Sequence, residues 1–228
     1  MSPTVEPMAR APWPVALVFG VALAVLITLV GPLLLFNPVF TSALQARHGV
    51  PAAFEVPQSE VDRVTREVLV DLYLDGPFEA AFEGREPLLD ARERSHMHDV
   101  AVLVRMLALV VVLAAIIAAV TGRLLRHERS RRGRVMLAAA GAIGAAALVL
   151  ALVFAVAFDA AFLAFHNIFF PPDSFLFEPG SNLITLFPEG FWFDASLAAG
   201  ASIVIGALIV AAIGLRAVRR VPATAGDL

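Results

Sequence analysis

Four long apolar runs constrain this chain more than any other feature. A helix needs roughly 20 apolar residues to cross a hydrocarbon layer about 30 Å thick, and residues 14–36, 100–122, 136–158 and 196–215 each meet that need. Inside such a layer every backbone N–H and C=O must be satisfied within the segment, so each run predicts a membrane-spanning helix. Composition agrees: 59% of residues are hydrophobic and 16% charged, with a mean hydropathy of +0.82. Soluble domains carry about 45–50% apolar and about 25% charged residues. The first run is too long for a signal-peptide core and ends in no small-residue cleavage pattern, so it is expected to remain as an anchor.

Arginine sets the expected orientation. All seventeen basic residues are Arg, and six of them fall between Arg123 and Arg134. Arg216, Arg219 and Arg220 follow the last span, and Arg10 precedes the first. Residues 159–195 hold no Arg and five acids. The excess of Arg on the cytoplasmic side predicts that the tails 1–13 and 216–228 and the loop 123–135 are cytoplasmic. Segments 37–99 and 159–195 then face outward. The first also holds six Arg, but it is long and carries twelve acids, and long loops weigh little in that rule. The expected fold is an all-α membrane protein with four transmembrane helices and a small extracytoplasmic cap.

The spans are nearly free of ionisable groups, so chemistry belongs to the outward segments. In 37–99, Ser59 reads as an N-cap, and Val61, Val64, Val68 and Leu72 follow at helical spacing until Gly76. This predicts a short amphipathic helix lying on the membrane or on the second outward segment, in a stretch too short for a large core. A second helix is expected to begin at Pro87 and continue into the second span, carrying His96, His98 and Asp99 on its outer end. Segment 159–195 contains nine Phe and one Trp, broken by Pro171-Pro172, Pro179-Gly180 and Pro188. Aromatic residues gather where membrane meets water, so this segment reads as an interfacial cap, with His166 on the extended outer end of span three.

Spans two and three share a short loop and are expected to be neighbours. His96 lies 27 residues before Arg123 and His166 lies 32 after Arg134. At about 1.5 Å per residue both histidines stand roughly 40–48 Å above the same inner surface. Their imidazoles are therefore expected side by side near the outer interface. Asp99, three residues after His96, is a candidate to orient it. Arg105 lies inside the span on the side of His98, and an intramembrane charge is a functional candidate, usually paired; Asp159 and Asp173 are its candidate partners. His48 and His127 lack such company. His96-x-His98 with Asp99 and His166 could also take zinc, although a His-x-His pair on a helix points its rings about 200° apart. Zero Cys excludes disulfides, thiolate metal sites and a cysteine nucleophile. A net charge of −3 with dispersed Arg gives no nucleic-acid footprint.

Two motifs carry a family resemblance. His96-Met97-x-Asp99-Val100 opens span two, and His166-x-Ile168-Phe169-Phe170 follows span three. The second motif continues through Asp173 and Phe177-Glu178-Pro179 to Leu183-Ile184-Thr185-Leu186-Phe187-Pro188-Glu189-Gly190-Phe191. In these residues and in its four-span plan the chain resembles the lipoprotein intramolecular transacylase (Lit) family. The resemblance implies a bacterial cytoplasmic-membrane enzyme whose active site faces the outer leaflet. Its substrate would be a diacylglyceryl-modified lipoprotein, with membrane lipid as the surrounding partner and no cofactor. The implied reaction moves the sn-2 acyl chain to the α-amino group of the N-terminal cysteine and yields a lyso-form lipoprotein. His96 and His166 match the family's catalytic pair, with Asp99, Arg105 and Asp173 as supporting candidates. Two other readings of the residues stay open: a non-enzymatic membrane protein whose aromatic cap binds lipid or a partner, and a zinc-dependent membrane hydrolase.

Overall fold

The computed structural model describes residues 11–219. Over that range every regular element is a helix and there are no strands: α1 (Trp13–Leu35), α2 (Pro38–Arg47), α3 (Val50–Phe54), α4 (Gln58–Leu74), α5 (Ala91–Leu124), α6 (Arg129–Val156), α7 (Phe158–Phe169), α8 (Asn182–Leu186) and α9 (Glu189–Arg219). Four of these, α1, α5, α6 and α9, are long and apolar enough to cross a membrane. Most of the expected tails, with Arg10 and Arg220, lies outside the described residues.

The bundle is arranged around α1, which packs on α5, α6 and α9, while α6 and α9 form the most extensive pair. Spans two and three were expected to be neighbours, yet α5 and α6 share no extensive contact and α1 packs against both. Small residues explain the choice of partner. Gly133 and Gly214 bring α6 and α9 together so closely that a Cβ on Gly133 would fall 2.6 Å from the Gly214 carbonyl oxygen. The small residue Gly122 of α5 instead faces Phe19 of α1. At this end of the bundle the Ala11 amide donates to Glu128 Oε1 at 2.6 Å, so the start of α1 lies against the α5–α6 loop. The short helices collect at the other end.

They form a cap with a core of its own. The face of α4 carrying Val61, Val64, Val68 and Leu72 is buried, as its spacing predicted, and packs with Phe54, Phe78, Phe82, Leu88 and Leu89. Met97, Ala101 and Val104 of α5 and Leu183 and Leu186 of α8 complete this core, so segments 37–99 and 159–195 both contribute to it. The amphipathic helix therefore lies on protein.

Two helix starts differ from expectation. Pro57, not Ser59, occupies the N-cap of α4, and no side chain caps it. Helix α5 begins at Ala91 and not at Pro87, because Asp90 forms a capping box with Glu93: the Asp90 side chain accepts from the Arg92 and Glu93 amides, and Glu93 Oε2 accepts from the Asp90 amide. Leu88 and Leu89 are drawn into the cap core just before this start.

Glu93 is only 1% exposed, and its second oxygen, Oε1, accepts from the Leu183 amide of α8 at 2.8 Å. Beside it Asn182 Nδ2 donates to the Leu88 carbonyl at 2.7 Å. Gln45 Nε2, also buried, donates to Thr65 Oγ1 and to the Leu186 carbonyl. These bonds fasten segment 159–195 onto segment 37–99. Glu93→Ala would leave the Leu183 amide buried without an acceptor, at a cost of about 2–4 kcal/mol from the lost bonds and the desolvated donor. A lowered Tm of the purified protein is the expected result of a thermal-unfolding measurement, and an unchanged Tm would count against this joint.

Candidate active site

His96 sits in the second turn of α5, 6% exposed, and His166 sits on α7. The two ring centroids are 6.1 Å apart, with the planes 26° from parallel. The pairing expected from matched depth is therefore present, but it is built differently. His166 does not ride on an extension of span three. Helix α6 ends at Val156, the backbone breaks at Ala157 (φ −142°, ψ 47°), and α7 starts as a separate helix. No Pro or Gly stands at the break; Phe158 there packs against Phe154, Phe162 and Phe193 of α9.

An aromatic cage encloses the pair. Phe170 touches both imidazoles, at 4.9 Å from His96 and 5.4 Å from His166. Phe177 meets His96 at 5.6 Å. Phe162, Phe165 and Phe175 surround His166 at 4.1, 5.5 and 5.0 Å. Phe170 can project in this way because it precedes Pro171, which disfavours helix and leaves Phe170 extended after α7 ends.

The ring nitrogens differ in their partners. His166 Nδ1 lies 2.8 Å from the Phe162 carbonyl. A carbonyl only accepts, so Nδ1 carries the hydrogen and the neutral ring keeps its lone pair on Nε2. Helix α7 lies outside the four candidate spans, and burial holds His166 below the ordinary imidazole value, an effect the Phe162 bond partly opposes. His96 Nδ1 is buried without a partner, so no hydrogen bond fixes the tautomer of that ring. At this spacing two imidazolium charges would repel.

The supporting candidates lie farther out. Asp99 is half-buried and makes no hydrogen bond to His96. Arg105 pairs neither with Asp159 nor with Asp173; its Nη2 meets Asp75 Oδ1 at 2.8 Å. His98 shares that side, with its Nδ1 3.9 Å from the same oxygen and its ring on Phe78. Nine residues of helix turn Arg105 to the face opposite His96. Its pair with Asp75, whose side chain is 64% exposed, is worth about 1 kcal/mol or less. Asp173 is exposed and has a left-handed backbone (φ 63°); its carbonyl, not its carboxylate, is the group engaged, by Arg92. His96 and His98 diverge as their spacing predicts. Among the described residues no three His, Cys, Asp or Glu side chains converge to hold a metal ion.

Some polar groups of the cap were not among the candidates drawn from the sequence. His48 has company after all: its Nε2 lies 2.8 Å from Asp194 Oδ2, which also meets Arg47. Glu93 and Arg92 were missed as well, although Asp90-x-x-Glu93 is a readable capping signal.

A family model described as "Lipoprotein intramolecular transacylase Lit" matches residues 15–192. Among solved structures, the fold is similar to an in meso structure of the membrane integral lipoprotein intramolecular transacylase Lit from Bacillus cereus. The TM-score is 0.77 at 17% identity, covering 91% of this chain and 95% of that one. Two variants of the Bacillus cereus protein, with a histidine replaced by arginine or by alanine, match at TM-scores of 0.74 and 0.75, both at 18% identity. Each covers 91% of this chain, and 92% and 93% of its own. No curated protein matches by sequence.

The half-buried, backbone-tied His166 makes a direct prediction. In an NMR titration its midpoint is expected below the ordinary 6.5, so that it is neutral at pH 7 with Nδ1 protonated. A midpoint at or above 6.5, or an Nε2–H tautomer, would contradict the geometry.

Proposed function

The chain belongs to the lipoprotein intramolecular transacylase Lit family, and we propose that it moves the sn-2 acyl chain of a diacylglyceryl lipoprotein to the α-amino group of the same cysteine. His96 and His166 act as the acid–base pair. The observation that carries this reading is the face-to-face placement of the two imidazoles at 6.1 Å inside an aromatic cage.

Ester-to-amide transfer needs an amine that loses a proton and an alcohol that gains one. The amine nitrogen attacks the ester carbonyl carbon, and His166 Nε2, whose lone pair is kept free by the Phe162 bond, takes the amine proton. The tetrahedral intermediate then expels the sn-2 oxygen as the C–O bond breaks. That oxygen receives its proton through His96, which, with its tautomer unconstrained, takes up the proton held by His166 and hands it on, so that both rings return to the neutral state. One N–H is consumed and one O–H formed, so the protons balance over a turnover. No enzyme nucleophile is required, because amine and ester belong to one molecule, and such proximity supplies up to about 7–11 kcal/mol in well-oriented cases. The chain has no Cys, which fits that economy. The Arg distribution supports an outward-facing site in a bacterial cytoplasmic membrane, and the aromatic cage suits a lipid substrate.

Proton transfer by a placed side chain contributes about 10²–10⁴-fold to rate. His166→Ala is therefore expected to slow conversion of a synthetic diacylglyceryl lipopeptide at least ~10²-fold, with mass spectrometry showing the N-acyl, lyso-form product only for the unaltered protein. Conversion by the variant at the original rate would overturn the acid–base assignment. A wild-type protein that leaves the lipopeptide unchanged would overturn the transacylation itself.

A further inference from the structure

Arg92 lies on α5 four residues before His96, on the same helical face. Its Nη2 donates to the Leu176 carbonyl at 3.1 Å and to the Asp173 carbonyl at 3.4 Å. Its Cζ stands 5.8 Å from the centre of the Phe177 ring. These partners all belong to the loop that delivers two walls of the cage, Phe175 against His166 and Phe177 against His96.

That loop has few other polar ties. Ser174 bonds through its amide and its hydroxyl to the Pro171 carbonyl, within the loop itself. Among the described residues, the two bonds from Arg92 are the hydrogen bonds linking residues 171–177 to the rest of the protein. The loop also passes through a left-handed residue that is not glycine, Asp173, a conformation that persists only where surrounding contacts hold it. Arginine suits this role: one nitrogen, Nη2, carries two hydrogens for the two carbonyls while the flat guanidinium stands beside the Phe177 ring.

We propose that Arg92 is a positioning residue for the acyl transfer. By fastening the 171–177 loop to the turn that precedes His96, it holds Phe175 and Phe177 on the imidazoles and keeps the two rings facing one another. The proposal rests on the acid–base reading of His96 and His166. Arg92 itself handles no proton and touches no reacting atom.

The test uses the full chain in lipid nanodiscs with a diacylglyceryl lipopeptide, comparing Arg92→Ala and Arg92→Lys with the unaltered protein. Histidine side-chain NMR is recorded on the same samples. For Arg92→Ala the expected result is a fall in kcat on the order of 10²-fold, the scale of an ångström-sized misplacement, with KM little changed. The His96 and His166 signals should also lose the ring-current shifts imposed by Phe175 and Phe177, and Arg92→Lys should recover both readouts in part. A raised KM at unchanged kcat would overturn the proposal by making Arg92 a substrate contact. Histidine signals that stay in place would overturn it too. The spectra decide the matter even if the histidines prove dispensable for transfer, so failure of the acid–base reading and failure of the clamp give different results.

Discussion

One buried carboxylate holds the cap together. Glu93 closes the capping box that starts α5 and, with its other oxygen, accepts the Leu183 amide from a segment ninety residues away. Burying a charge is costly unless it is hydrogen-bonded, and here both oxygens are satisfied by backbone donors. Because the bond fixes where α5 begins, it also fixes where His96, three residues later, points. Because it anchors α8, it fixes one end of the loop that brings Phe175 and Phe177 over the histidines. Asn182 and Gln45 reinforce the same joint through the Leu88 and Leu186 carbonyls. The spans supply the platform, and the cap joint supplies the register.

The four spans were legible because length and apolarity leave a membrane helix little alternative. The buried face of α4 was legible from its valine spacing. The histidine pair was legible as matched depths along two helices, although that expectation supposed that spans two and three touch. In the structure α1 packs against both, since close approach at Gly133 and Gly214 commits α6 to α9. The pair forms because α7 is an independent helix. Its break at Ala157 has no proline or glycine to announce it and is set by tertiary aromatic packing. Arg105 shows the same limit: its charge marked it as paired, but the loop that turns Asp75 toward it at the end of α4 follows from the cap core and from no local signal.

Aromatic side chains dominate the site. Five phenylalanines surround two imidazoles, and Asp99, the nearest candidate carboxylate in sequence, does not bond to His96. Where many histidine bases are oriented by an acid, His166 is oriented by the carbonyl of its own helix, four residues back. On the proposed function this arrangement has a consequence. A backbone carbonyl fixes the tautomer without adding a full negative charge, so the ring stays neutral in a lipid-facing cage and is ready to accept a proton from an amine.

On this reading His96 and His166 work as a single unit, and a double-mutant cycle on kcat/KM probes that unit without intermediaries. Groups that share one proton path are strongly non-additive. The variant carrying both His96→Ala and His166→Ala is therefore expected to be no slower than the slower of the two single variants. Losses that multiply, with the double variant slowed by the product of the two single factors, would show independent roles and contradict the shared path.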